Sequence, residues 1–142
     1  MRHNKIVSAA IALCVTAFFT IGSLPSVSAS TPTPVTITAV YDFSTFPDVT
    51  GTFSTTGALT ISGTSTMHVD LNPFNGVRAH CVVTLTAPGG TIVIDQQCQF
   101  ASSPPRGRCE IVSGTGAYAN LNGNGSLTMP PNTEAMTGYI YR

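Results

Sequence analysis

The sequence predicts an all-β domain of about eight antiparallel strands, arranged as a barrel or as a β-sandwich. Threonine, serine, glycine and valine are abundant and charged residues make up only 8% of the chain, a composition that favours strands. No long segment after residue 29 repeats its apolar residues with helical period. Short runs of alternating apolar and polar residues recur between turn-forming residues instead, at the spacing expected of a sandwich or barrel.

Eight of these alternating runs are predicted to be strands. Eight strands are enough to close a barrel whose interior holds side chains or one small ligand. The strands are expected near Val35–Asp42, Gly51–Leu59, Ile61–Leu71, Val77–Ala87, Thr91–Ala101, Arg108–Val112, Leu121–Met129 and Glu134–Tyr141.

Residues 1–29 are predicted to be a signal peptide that does not belong to the fold. A charged start is followed by an apolar run over residues 6–21, and Val27-Ser28-Ala29 fits the small-x-small cleavage pattern. The run is short for a bilayer span, so cleavage near Ala29 is favoured over the alternative, a retained membrane anchor. The chain is then expected to be secreted, with residues 30–34 as a tether and residues 35–142 as one domain.

The charge of residues 30–142 excludes several classes of function. The segment carries four arginines, six acidic residues and no lysine, so its net charge is −2 with neutral histidines. No nucleic-acid partner is expected, because the segment lacks a basic face. Schiff-base and phosphate-loop chemistry both need a lysine. Hydrolase-elbow and zinc-protease motifs do not occur either, and no cofactor is predicted.

The clearest hairpin is predicted over residues 77–100. Ala87-Pro88-Gly89-Gly90 provides its turn, so Thr86 is expected near Thr91. Alternation then places the apolar residues of the two strands on one shared face, which is the predicted interior. These inward residues are Cys81, Val83, Leu85, Ile92, Ile94, Cys98 and Phe100.

Three cysteines remain after the predicted cleavage, and export would place them in an oxidising compartment. Cys98 and Cys109 flank a loop, and pairing of the fifth and sixth strands across it would set them opposite or nearly so. A Cys98–Cys109 disulfide is therefore predicted, which would stabilise the fold by about 3 kcal/mol. The rival pairing is Cys81–Cys98, offset by about two residues in the hairpin. A third alternative is three buried thiols.

His68, Asp70 and His80 are the residues to consider as metal ligands. A turn through residues 72–76 is expected to bring His68 near residue 79, with both histidines on the outer face. Two histidines and a carboxylate could hold zinc. Their spacing matches no metal motif, however, and exposed polar residues on an outer face are ordinary, so no metal site is predicted.

The glycine-rich stretch after the sixth strand has the sharpest signature. Gly114-Thr115-Gly116 accepts positive φ at little cost, and Ala117-Tyr118-Ala119 is predicted to form one helical turn. That turn would set Tyr118 and Leu121 against the core. Asn122-Gly123-Asn124-Gly125 is predicted to turn the chain again, because Asn-Gly is a strong turn signal.

This stretch resembles the Gly-Gly-Thr-Gly-x-Tyr/Phe-x-x-x-x-Gly pattern of the allene oxide cyclase and dirigent barrel families. It is most similar to their secreted bacterial relatives, the allene oxide cyclase barrel-like proteins. The family usually has a second glycine where this chain has Ser113. A weaker similarity covers Gly51-Thr52-Phe53 and Thr56-Gly57-Ala58-Leu59. The matching positions of the main motif are Val112, Gly114, Thr115, Gly116, Ala117, Tyr118, Leu121, Gly123 and Gly125.

The resemblance implies an eight-stranded antiparallel barrel with a central cavity, the β-sandwich being the alternative fold. It also implies a possible isomerase or cyclase activity on an oxygenated lipid, since plant allene oxide cyclases use a buried carboxylate in an apolar cavity. No catalytic residue is transferred, because the match is confined to the structural motif. Relatives commonly form trimers through the outer barrel face, so a homo-oligomer with Val82 and Val93 at its contacts is a third alternative.

The leading hypothesis is a module that binds a small apolar ligand inside the barrel, because apolar pockets with few polar groups are the usual design of such sites. The alternative is a solid core that binds nothing. Glu134 alternates with Met136 and Ile140, but a solvated position at the strand end is favoured for it. The predicted lining is Phe53, Val83, Leu85, Ile92, Ile94, Phe100 and Tyr118.

Overall fold

The computed structural model describes residues 30–142, which form a closed barrel of eight antiparallel strands. Each strand pairs with its neighbours in sequence, and the last pairs with the first. The predicted barrel is therefore confirmed over the β-sandwich. The predicted signal peptide lies outside the described residues. The strands are β1 (Thr33–Asp42), β2 (Asp48–Gly57), β3 (Ser62–Leu71), β4 (Arg78–Ala87), β5 (Gly90–Gln99), β6 (Arg106–Gly114), β7 (Asn122–Thr128) and β8 (Thr133–Tyr141).

Alternation of inward and outward side chains explains why these segments form strands. Along β1, Val35, Ile37, Ala39 and Tyr41 are buried, whereas the residues between them are exposed or half-buried. The same period of two continues around the barrel, so the inward side chains of the strands join in one apolar core.

The β4–β5 hairpin has the predicted register. Thr86 lies opposite Thr91, and the predicted inward residues of both strands are buried. Phe100 follows the end of β5 and is half-buried. Val82 and Val93 lie on the outer surface and are also half-buried. Their contact with another copy of the chain stays a prediction.

The β3–β4 hairpin differs from its prediction. His68 lies opposite Val82 rather than near residue 79. The reason is a wider loop, in which the Asn72 and Asn75 side chains accept hydrogen bonds from backbone N–H groups two residues further on, at 2.9 and 3.1 Å. These two local turns occupy residues 72–77, so the strands pair further from the bend than a tight turn would allow.

The glycine-rich stretch is partly as predicted. A single 3₁₀ turn forms at Gly116–Tyr118, and Tyr118 and Leu121 are buried. The second predicted turn is wrong, because residues 122–125 belong to β7. The chain bends just before them, at Asn120, whose φ is 63°.

The glycines of β7 bring two strands together. Gly125 lies opposite Gly138 of β8, and a Cβ on Gly125 would come within 2.3 Å of the Thr137 carbonyl oxygen. A side chain at residue 125 would therefore push the strands apart. In this strand glycine permits close approach rather than a turn.

The two ends of the barrel receive different connections. The end that carries Ser30 and Arg142 also carries the β2–β3, β4–β5 and β6–β7 connections, and is called the closed end below. The opposite end carries the β1–β2, β3–β4, β5–β6 and β7–β8 connections, and is called the open end. A second 3₁₀ turn, Phe43–Thr45, lies in the β1–β2 connection at the open end.

Candidate functional site

A cavity of about 340 Å³ opens at the open end of the barrel. The mouth of the cavity is formed by the four connections at this end and by the strand ends beside them. The wall of the cavity continues into the barrel along β3. Most of the lining is apolar. The lining side chains include Tyr41, Phe43, Met67, Cys81, Phe100 and Glu134.

Glu134 lies at the base of this cavity and not at a solvated strand end. It is the second residue of β8, its exposed fraction is 1%, and it lies opposite Ala39 of β1. The expectation of a solvated carboxylate is therefore wrong. The physical reason is alternation: Glu134 and Met136 are two residues apart on β8, so both point into the barrel. The β7–β8 connection extends beyond Glu134 and covers this end of the strand.

Gln96 of β5 holds one oxygen of the Glu134 carboxyl group. Its Nε2 donates to Glu134 Oε1 at 2.5 Å, and the Gln96 side chain is fully buried. Burial raises the pKa of Glu134 to about 7, while the Gln96 amide and the neighbouring Tyr41 act in the opposite direction. A carboxyl group with such a pKa can give or take a proton near neutral pH.

Tyr41 is the second polar group at the cavity base. Only 4% of it is exposed, and its ring packs edge-on against Phe43 with 6.1 Å between the centroids. Burial, followed by the nearby Glu134 charge, raises the pKa of the Tyr41 hydroxyl, so it remains a phenol. Within residues 30–142, Tyr41 Oη, Glu134 Oε2 and the buried hydroxyl of Ser65 make no hydrogen bond of normal geometry, although Tyr41 lies close enough to Glu134 and Ser65 for both to shift its pKa.

The predicted Cys98–Cys109 disulfide is wrong for this structure, in which Cys81, Cys98 and Cys109 are free thiols. Cys98 lies opposite Gly107, whereas Cys109 lies opposite Gln96, so an offset of two residues separates the predicted pair. Cys81 also lies opposite Gln96 and has the same offset from Cys98. Of the alternatives, three buried thiols comes nearest to this arrangement, except that Cys109 is only half-buried.

The chemistry of these thiols is limited by their surroundings. Contact with Cys81 and burial raise the pKa of Cys98, and burial raises the pKa of Cys109 to about 11. The thiolate is the reactive form of cysteine. Cys98 and Cys109 are therefore protonated near neutral pH and are poor nucleophiles.

The residues predicted to line a ligand site lie at different depths in the barrel. Phe100 lines the cavity at the open end. Ile94 borders a separate void of about 30 Å³ between β1, β5, β6, β7 and β8. The other predicted residues belong to the packed core and border neither space; they are Phe53, Val83, Leu85, Ile92 and Tyr118.

Tyr118 is occupied by a structural contact at the closed end. Its hydroxyl donates to the carbonyl oxygen of Pro88 at 2.7 Å. This bond ties the 3₁₀ turn after β6 to the β4–β5 turn. The cavity at the open end takes its tyrosine from β1 instead.

Sequence reasoning did not select the polar residues of the cavity base, although a signal for them exists. Gln96 stands between Ile94 and Cys98 on an inward face, and Tyr41 continues the inward row of β1. A polar side chain at an inward position of an apolar strand needs a buried partner or a ligand. Such breaks in the inward pattern could have indicated the site.

The two histidines on the outer surface contact different aspartates. His68 Nδ1 lies 2.6 Å from Asp48 Oδ1, and His80 Nε2 lies 2.5 Å from Asp95 Oδ2. Asp70, opposite His80 on the neighbouring strand, joins neither pair. In the part of the chain that the structure describes, no three metal-binding side chains come together.

Comparison with known proteins adds no assignment: no family model matches the chain, and no curated protein sequence is significantly similar to it. Among residues 30–142, no helix has the length and apolar character needed to cross a bilayer.

Proposed function

We propose that this protein binds a small, largely apolar molecule in the open-end cavity. The observation that carries the proposal is an apolar cavity of about 340 Å³ that ends on two buried polar groups without hydrogen-bond partners in residues 30–142, Tyr41 Oη and Glu134 Oε2. Ligand sites are typically concave and mostly apolar, with a few placed polar groups and volumes of roughly 300–1,000 Å³. The open-end cavity has each of these properties and lies at the small end of the size range.

The rim of the cavity supports the proposal. Phe43 and Phe46 from the β1–β2 connection line the mouth and are substantially exposed. Leu71 at the end of β3 does the same. Water-exposed aromatic and aliphatic side chains around a cavity gain free energy when an apolar molecule covers them, because apolar surface is removed from water.

A blocking variant tests the binding. Met129 lines the cavity and is half-buried, so Met129→Trp should fill part of the space. Val112, which is exposed on the outer wall, gives the matched control Val112→Trp. A neutral lipophilic dye such as Nile red should bind the natural chain and the control but bind Met129→Trp at least tenfold more weakly. Equal dye binding by all three proteins would contradict the proposal.

A second candidate function is an isomerase or cyclase acting on an oxygenated lipid, as the resemblance to allene oxide cyclase barrels implies. The observation that favours it is the buried Glu134 carboxyl group, whose pKa of about 7 suits proton transfer. This candidate predicts that Glu134→Gln still binds the ligand but has a turnover rate lower by about 10²-fold or more. Retained turnover in this variant would exclude Glu134 as the acid or base.

The proposal includes export of the chain. Its support is the charged start, apolar run and small-x-small motif of residues 1–29. Mass spectrometry of protein collected outside the producing cells should show a chain that begins near Ser30. A chain that keeps residues 1–29 and is found in the membrane fraction of those cells would support the membrane-anchor alternative.

A further inference from the structure

We propose that the cavity base is a two-donor site for the carbonyl oxygen of an otherwise apolar ligand, formed by the Tyr41 hydroxyl and the Glu134 carboxylic acid. This inference rests on the proposed function, since it names the class of molecule that the open-end cavity takes. It adds that the ligand carries a ketone, aldehyde or similar carbonyl group at the end that enters first.

The strand register places the two donors side by side. Glu134 of β8 lies opposite Ala39 of β1, and Tyr41 is two residues further along β1 on the same inward face. Diagonal neighbours on paired strands are within reach of each other when the side chains are long. Both side chains line the cavity, and Phe43 packs against the Tyr41 ring. One ligand atom can therefore meet both groups.

The Gln96 contact decides which Glu134 oxygen carries the proton. Gln96 Nε2 donates to Glu134 Oε1, so Oε1 acts as an acceptor. The proton of the neutral acid then belongs on Oε2, which has no partner among the described residues. Because burial raises the pKa of Glu134 to about 7, this acid is protonated below neutral pH and carries an O–H group at the buried base of the cavity.

Two O–H groups that converge on one point favour a ligand atom that accepts hydrogen bonds. Tyr41 remains a phenol because burial raises its pKa, and a carbonyl oxygen has two lone pairs that can accept from both donors. A ligand without oxygen would enter the same cavity but leave Tyr41 and Glu134 unpaired, which makes its binding weaker. A protonated carboxylic acid beside a tyrosine is known to hold a carbonyl oxygen in another enzyme family.

Glu134 alone should set the pH dependence of this preference near pH 7. The titratable groups that face it from other strands are Tyr41 on β1, Cys81 on β4, Cys98 on β5 and Cys109 on β6. Contact with Cys81 and burial raise the pKa of Cys98, and burial raises that of Cys109 to about 11. Arginine and histidine do not line the cavity.

The test compares 2-acetylnaphthalene with 2-isopropenylnaphthalene, which differ only by C=O in place of C=CH₂. Calorimetry on the purified protein at about pH 5.5 should show the ketone binding roughly tenfold more tightly, as two modest hydrogen bonds allow. The infrared C=O stretch of the bound, ¹³C-labelled ketone should move to lower wavenumber than in an apolar solvent. The preference should decrease above about pH 8, where Glu134 is ionised and no longer donates a hydrogen bond.

The outcomes separate the two proposals. If neither compound binds, the proposed binding function fails. If both bind equally, the cavity binds apolar molecules and the two-donor site is overturned. Tighter binding of the matching alcohol, 1-(2-naphthyl)ethanol, than of the ketone at the lower pH would overturn it as well.

Two conservative variants locate the donors. Tyr41→Phe should weaken ketone binding about fivefold, leave the hydrocarbon unaffected and move the C=O stretch back toward its position in an apolar solvent. Glu134→Gln keeps an N–H donor where Oε2 was, so it should retain the ketone preference and lose its pH dependence. Unchanged ketone affinity and C=O stretch in Tyr41→Phe would overturn the role of Tyr41. A pH dependence that persists in Glu134→Gln would overturn that of Glu134.

Discussion

At the closed end of the barrel, part-buried hydroxyl groups donate to backbone carbonyl oxygens of the connections, whereas the two buried polar groups at the base of the open-end cavity have no such partner among the described residues. The Thr55 hydroxyl donates to the Leu59 carbonyl oxygen at 2.7 Å, and the Tyr118 hydroxyl donates to Pro88 at the same distance. Thr115 Oγ1 accepts a hydrogen bond from the backbone N–H of Thr91 at 2.9 Å. These bonds join each connection to a strand or turn beside it.

The open end has a different composition. Tyr41 Oη and Glu134 Oε2 are buried without partners in the described chain. Phe43 and Phe46 are exposed at the rim, and Phe74 of the β3–β4 connection is 94% exposed. Unpaired buried polar groups and exposed apolar groups both cost stability. The closed end therefore satisfies its polar groups within the fold, whereas the open end leaves the unpaired groups that the proposed ligand site requires.

The largest expected difference between the ends concerns two glycines with nearly the same backbone conformation. Gly116 at the closed end has φ +58° and Gly76 at the open end has φ +59°. A Cβ on Gly116 would come within 2.0 Å of the Gly89 carbonyl oxygen, whereas a Cβ on Gly76 would meet no atom within 4 Å. Gly116→Ala should therefore lower the free energy of unfolding by about 3–4 kcal/mol, and Gly76→Ala by about 1 kcal/mol. Urea denaturation measures both, and equal losses would contradict the tight closed end.

A smaller effect is expected from the buried carboxyl group of the open end. Because burial raises the pKa of Glu134 from 4.5 to about 7, the folded chain keeps a proton that the unfolded chain releases between these values. The contribution of Glu134 to stability is therefore complete below about pH 4.5 and declines as pH rises to about 7, by roughly 3 kcal/mol. The free energy of unfolding, measured across this window, should fall by that amount relative to Glu134→Gln. If the difference in free energy of unfolding between the two proteins stayed the same from pH 4.5 to about pH 7, Glu134 would have to be solvated.

The smallest effects are expected from removing one hydroxyl group at each end. Tyr118 and Tyr41 are equally buried, but within the described part of the chain only the Tyr118 hydroxyl makes a hydrogen bond of normal geometry, to the Pro88 carbonyl oxygen. Tyr118→Phe should cost about 1 kcal/mol or somewhat more, since it leaves that carbonyl without its donor, while Tyr41→Phe should be neutral or slightly stabilising. Thermal denaturation of both variants checks the contrast. A comparable loss in Tyr41→Phe would mean that its hydroxyl is satisfied within the fold.

The cysteines show where prediction from sequence reached its limit. The inward positions of Cys81 and Cys98 follow from alternation alone, as the structure confirms. The disulfide required the register of β5 and β6 as well, and there Cys98 lies opposite Gly107. A shift of two residues preserves the faces of both strands but separates the sulfur atoms. Alternation therefore carried no information about which cysteines meet.

The candidate site met the same limit. The sequence indicated that Phe53, Val83 and Phe100 point into the barrel, but only Phe100 reaches the cavity. Position along the barrel axis depends on which connections cover each end and how the strands are staggered. Neither quantity is contained in the alternation of one strand.

The sequence by itself determined the eight strands, their inward faces and one helical turn around Tyr118, because a period of two and glycine-rich turns are local properties of the chain. Only the tertiary structure decided that Tyr41 and Glu134 meet at the base of one cavity. They are far apart in sequence and become neighbours when β1 pairs with β8, the contact that closes the barrel. Closure joins the two ends of the domain, so no local pattern can specify it.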